Sequence, residues 1–176
     1  MDGPQLGDTI PIMRKLLKFL HTLASCGLIG ALLGYIVVLA GAPQESPTAY
    51  ADMRQTIALL CNFILLPSLA VALVTGLLSM AVHRPFQERR WAWIKLLLGL
   101  GMFEATLAII QAKANFAATI SARIARGEAQ PDALATALTH EWYSLGAIMT
   151  LSLANIILGV WRPPLKRRRR IHQLVN

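Results

Sequence analysis

Charge is what this sequence has least of. Aspartate, glutamate, lysine and arginine make up 15% of its 176 residues, and only nine of those are acidic. With 55% hydrophobic residues and a mean hydropathy of +0.52, the composition excludes an ordinary soluble domain, which needs less apolar material for its core. Cysteine is scarce too. Cys26 and Cys61 both fall inside apolar runs, which favours small packing residues over a disulfide or a redox pair. The motifs of hydrolysis and phosphoryl transfer are missing: there is no glycine-rich phosphate loop, no HExxH and no GxSxG. Whether the chain is an enzyme stays open on that ground. No aromatic residue is interleaved with the basic run LKRRRR near the C-terminus, so nucleic acid is not its expected partner.

What is present is four apolar runs, residues 16–41, 56–82, 91–113 and 144–161. At about 1.5 Å per residue each can cross a hydrocarbon core of about 30 Å, and each must be helical, because lipid leaves no partner for an unpaired backbone group. The expected fold is all-α: one domain, residues 1–176, with four transmembrane helices in an up-down bundle and a basic tail at 162–176. The first run is about twice as long as the apolar part of a signal peptide and carries only a weak cleavage site, GAP at 41–43, so it reads as a retained helix. Arg14, Lys15 and Lys18 flank span 1, Arg84, Arg89 and Arg90 fill the loop between spans 2 and 3, and Arg162 with 166–170 follows span 4. Those segments lie on one side of a four-span protein. Both termini are therefore expected in the cytoplasm, with the chain a multi-pass protein of a bacterial inner membrane. The net charge of +8 is mostly this asymmetry, and anionic lipid headgroups are the simplest partner for the tail.

On the other side the helices outrun the bilayer. Ser46 as N-cap and Pro47 at the first helical position start helix 2 well before its apolar run, giving about 54 Å to Val82. Helix 3 continues past Asn115 to Arg126, followed by a GEAQ turn and a new start at Pro131. Helices 2 to 4 are thus expected to extend beyond the membrane on the non-cytoplasmic side. The amphipathic outer part of helix 3, with Phe116, Ile120 and Ile124, would need a partner or would lie on the lipid surface.

In lipid the polar residues are the informative ones. At 100° per residue Glu104, Ala108, Gln111 and Asn115 fall within about 40° on helix 3, with Glu104 about 20 Å from Trp91. On helix 2, Arg54, Cys61, Ser68 and Thr75 repeat every seven residues, and Pro67 frees the carbonyl of Phe63 and is expected to kink the helix. Ser68 and Thr75 are then expected neighbours of Glu104, which acts either as interhelical glue or as a proton relay or cofactor contact. Helix 4 carries His140, Ser144, Ser152, Asn155 and Gly159 along one side, and HEWY at its start reads as an interfacial belt. On helix 1, Gly27, Gly30 and Gly34 form a face for close packing. His21 lies about 150° away, with Ser25, Leu28, Leu32 and Tyr35, so one surface should face the bundle and the other a second chain or partner subunit. His21 and Lys95 lie about 7 Å and 6 Å from the starts of their runs, in one layer, with Asn155 at a similar depth. Lys95 is opposite Glu104 around helix 3, so an inward Glu104 would leave Lys95 to snorkel to the headgroups.

KFLH at 18–21, ahead of a glycine-spaced span, and WAWIK at 91–95 resemble a loose group of small bacterial four-helix integral membrane proteins. The group includes CopD-like copper-resistance domains, HemJ-type protoporphyrinogen oxidases and relatives of unknown function. The HemJ likeness implies a haem site using His21 and Lys95. The third span continues GLGMFEATLA, without a histidine, so a second iron ligand would come from His83, from His21 of a second chain, or from a partner subunit. His21 is the one histidine well inside a span, which makes it the candidate ligand of haem iron. Copper ranks lower, since Met80, Met102, Met149 and the cysteines are scattered. The cofactor expectation is a b-type haem or none. Three functions compete: a haem-associated protein with a redox or haem-pathway role, a non-enzymatic accessory subunit or assembly factor, and a small proton-coupled transporter gated by Glu104 that works as an oligomer.

Overall fold

The computed structural model describes residues 6–43, 46–82, 90–138 and 140–161; His83, Arg84, Arg89 and the basic tail lie outside the described residues. The chain is all-α. In order come α1 (Leu6–Ala40), α2 (Pro47–Val82), α3 (Arg90–Ala125), the short α4 (Asp132–Leu138) and α5 (Glu141–Trp161). Four of these, all but α4, are long and apolar enough to cross a membrane. Large apolar side chains such as Leu33, Val37, Phe63, Val74, Leu97 and Val160 point outward. That arrangement suits a lipid solvent, in which such surface carries no cost.

The expected start of α2 is present: Ser46 Oγ accepts a hydrogen bond from the Ala49 N–H at 3.3 Å, and Pro47 opens the helix. The end of α3 closes on a left-handed Gly127 at φ 75°. There Gly127 N–H donates to Ile124 O and Glu128 N–H to Arg123 O, the paired bonds of a Schellman turn. Just before Pro67, α2 carries a π-helical turn, Cys61–Leu65, with the Leu66 N–H reaching back five residues to Cys61 O. Proline cannot donate and crowds the carbonyl four residues before it, and one extra residue in the turn absorbs both problems. A second π turn, Thr106–Gln111, interrupts α3.

The first part of α2 packs on the last part of α3, the second part of α2 on α1, and the first part of α3 on α5. Leu32, Tyr35, Ile57, Leu65, Met102 and Leu145 form the centre of the core. Two expectations change. The outer part of α3 already has a partner within the chain: Ala117, Ala118, Ile120 and Ser121 are buried along its contact with α2, while Phe116 stays exposed. The glycines of α1 do not act as one face either. A side chain at Gly27 would meet Ser68 and one at Gly34 would meet Leu60, both on α2, while Gly30 faces open space. Since Leu28, Leu32 and Tyr35 are also buried, α1 covers a wide arc inside the bundle rather than one face in and one face out.

Candidate functional site: a cavity between the four long helices

The polar side chains sort into three layers. In the first, Glu141 at the start of α5 accepts hydrogen bonds through Oε1 from Tyr35 OH at 2.6 Å and Arg54 Nη1 at 2.7 Å. Arg54 also donates from Nε and Nη2 to Tyr50 OH, at 3.0 and 2.7 Å. Arg54 is 2% and Glu141 6% exposed, so this is a buried, hydrogen-bonded ion pair joining α1, α2 and α5. The sequence offered half of the signal. Arg54 lies in the seven-residue repeat on α2, but nothing marked Glu141 within HEWY as its partner. Trp142 and Tyr143 of that motif are exposed, as is His140, as an interfacial belt requires.

The second layer joins the two π turns. Asn62 donates to Asn115 Oδ1 at 2.9 Å, and Gln111 donates to Asn62 Oδ1 at 2.8 Å. Of the stripe expected on α3, Gln111 and Asn115 meet α2, whereas Glu104 and Ala108 lie on the outer surface. The π turn is the reason. It holds Met102, Thr106, Ile110 and Ala114 inward at intervals of four, where a regular helix would drift about 40° at each step. Glu104 therefore does not join Ser68 and Thr75, and its position offers no gate through the middle of one chain. Replacing Asn62 by leucine strands two amides together and is expected to cost about 0.6 to 2 kcal/mol, read as a lower unfolding temperature in detergent.

The third layer is a cavity of about 390 Å³ toward the end of the bundle where Val82 and Trp91 lie, lined by α1, α2, α3 and α5. His21, Lys95 and Asn155 all line it, and each nests against a glycine on a neighbouring helix. A Cβ at Gly76 of α2 would lie 3.6 Å from His21 Cε1, one at Gly159 of α5 would lie 2.5 Å from Lys95 Nζ, and one at Gly99 of α3 would lie 3.8 Å from Asn155 Nδ2. Gly159 belongs to the polar side of helix 4 read from the sequence, whereas Gly76 and Gly99 carried no signal there. Lys95 thus faces inward and Glu104 outward: the two are opposite, as helical geometry requires, with the inward face the reverse of the one that the polar stripe suggests.

His21 Nδ1 lies 2.9 Å from Ala72 O and 3.1 Å from Thr75 Oγ1. A carbonyl can only accept, so Nδ1 carries a proton, and Nε2 of the neutral ring keeps its lone pair. Thr75 Oγ1 donates onward to Val71 O at 2.7 Å. Thr75 is therefore a neighbour of His21, and Ser68 a neighbour of Gly27. Asn155 Oδ1 is buried and accepts no hydrogen bond, while its Nδ2 reaches only the Met102 sulfur, at 4.0 Å. A buried amide oxygen without a donor is costly and marks an incomplete polar site. Among the described residues no group of three or more histidine, cysteine or acidic side chains could hold a metal ion.

A family model described as a predicted integral membrane protein matches residues 15–163. The chain belongs to the DUF2269 family. The matched segment takes in the ion pair, the amide layer and the cavity apart from Arg14, so the DUF2269 unit spans the four-helix bundle. No curated protein and no solved structure matches the chain.

Proposed function

We propose that the chain binds haem in this cavity, with His21 Nε2 as the iron ligand, as part of a redox or haem-pathway role in a bacterial inner membrane. One observation carries the reading: the Nδ1–H of His21 is tied to the Ala72 carbonyl at 2.9 Å. Metal-ligating histidines are fixed in this way, with the far nitrogen held as a lone-pair donor and made more basic. At about 390 Å³ the cavity is within the usual span for small-molecule sites, about 300–1,000 Å³. Asn155 through its Nδ2 and Lys95 through its Nζ would donate hydrogen bonds to acceptor groups on the ligand's edge. Haem itself supplies one-electron chemistry when bound, tuned by its axial ligand. In this reading both termini and the cavity's end of the bundle are cytoplasmic.

Titration of the purified protein with haem, followed by absorbance, tests it. The wild type is expected to give a shifted Soret band. His21→Ala should weaken binding by more than the roughly 10- to 100-fold that accompanies loss of an outer-shell partner, and Thr75→Val should keep the band, because Ala72 still orients the ring. A wild type with no Soret band after haem is added would end this reading.

A further inference from the structure

The chemistry of the cavity wall changes along its length. The polar lining residues of α1, Arg14, Lys18, His21 and Ser25, fall with Leu28 within about 80° of one another and extend over about 21 Å, flanked by Leu17 and Ile29. From one end inward they run from two cations through an imidazole and a hydroxyl to an aliphatic side chain. On the facing wall Lys95 of α3 lies between the buried Trp91 and Ala92 at the outer end and Met102 deeper, and α5 contributes Gly159, Asn155 and Ser152. No aspartate or glutamate is among the described residues that line the cavity. Arg14 and Lys18 are exposed at its mouth and have no acidic partner among the described residues.

We propose that the cavity takes an acidic amphiphile, admitted from the Arg14 end, whose anionic group is held by Arg14 and Lys18 while its apolar body lies deeper among Leu28, Leu69 and Met102. A neutral ligand would gain nothing from cations placed along the entrance, whereas a carboxylate or phosphate is both drawn in and oriented by them. The three glycines facing His21, Asn155 and Lys95 let those side chains lie close against backbone, which widens the slot for a flat or branched body. The inference rests on the cavity being a ligand site and specifies the charge of what enters. The anionic group could be the carboxylates of a porphyrin or the phosphate of a phospholipid, and the test separates the two.

The full chain in neutral detergent is given two pairs of probes. Haem is compared with its propionate dimethyl ester by absorbance titration, and phosphatidylglycerol with phosphatidylcholine by native mass spectrometry of retained lipid. Binding is expected to favour the acidic member of at least one pair by about 10- to 30-fold, at roughly five-fold per cation, and Arg14→Gln/Lys18→Gln is expected to abolish the preference. A preference within the first pair identifies the porphyrin, and one within the second identifies the lipid. Both side chains are exposed, so the double variant keeps its fold, which circular dichroism checks. Equal binding within both pairs, or a preference unchanged in the double variant, overturns the proposal. His21→Ala should erase the haem spectrum and leave the lipid preference intact, so failure of iron ligation is distinguished from failure of anion recognition.

Discussion

Glu141→Ala will lower the stability of the bundle by about 3 to 5 kcal/mol, the usual cost of leaving one member of a buried ion pair uncompensated. Arg54 would then remain at 2% exposure with only Tyr50 OH as partner, and Tyr35 OH would lose its acceptor. Chemical unfolding in detergent micelles measures the loss. Tyr35→Phe removes a single donor to the carboxylate and should cost less, about 1.5 to 3 kcal/mol. The informative control is Arg54→Leu/Glu141→Leu. Removing both charges together should recover most of the stability, because a buried pair is expensive to break but worth little over well-packed apolar side chains. A Glu141→Ala variant that unfolds with the wild type would mean that this layer is wet and that the pair does not tie α5 to α1 and α2.

Gly27 supplies the second large effect. A Cβ built there would lie 2.6 Å from Ser68 Oγ and 3.4 Å from Ser68 Cβ, so any longer side chain must push α1 off α2. Gly27→Leu is expected to cost about 1 to 3 kcal/mol or more, as overpacking does. Gly27→Ala should cost less, and adding Ser68→Ala should relieve it, since the shorter contact is to the hydroxyl alone. Gly30, three residues along the same helix, faces nothing within 4 Å. Gly30→Ala should leave the fold as stable or up to about 1 kcal/mol more so through helix propensity. Unfolding temperatures of the four variants in one detergent make the comparison, and a Gly30 as sensitive as Gly27 would reveal a contact with a second chain.

Much of this protein is legible without a structure. Four apolar runs in so uncharged a chain admit only membrane-crossing helices, because lipid offers the backbone nothing to bond to. The cap at Ser46 and the turn after Arg126 are readable because their signals are local. His21, Lys95 and Asn155 reach one cavity because residue counts along straight helices give depth directly. Facing direction is less accessible. Depth accumulates at a fixed rise per residue, but azimuth depends on every turn being α-helical, and each π turn rotates all later residues of its helix about the axis. That is why regular helical geometry groups Glu104 with Gln111 and Asn115 although it lies on the outer surface.

By itself, then, the sequence determined that the chain is helical, how many helices can span a bilayer, and how deep along each helix a polar residue lies. Only the tertiary structure decided which residues meet. Arg54 found Glu141 across 87 positions of chain, His21 found the Ala72 carbonyl across 51, and glycines on three neighbouring helices made room for His21, Lys95 and Asn155. Hydrophobic periodicity could not foresee these pairings, because in lipid both faces of a helix are apolar and the pattern that marks an inward face in water is largely absent.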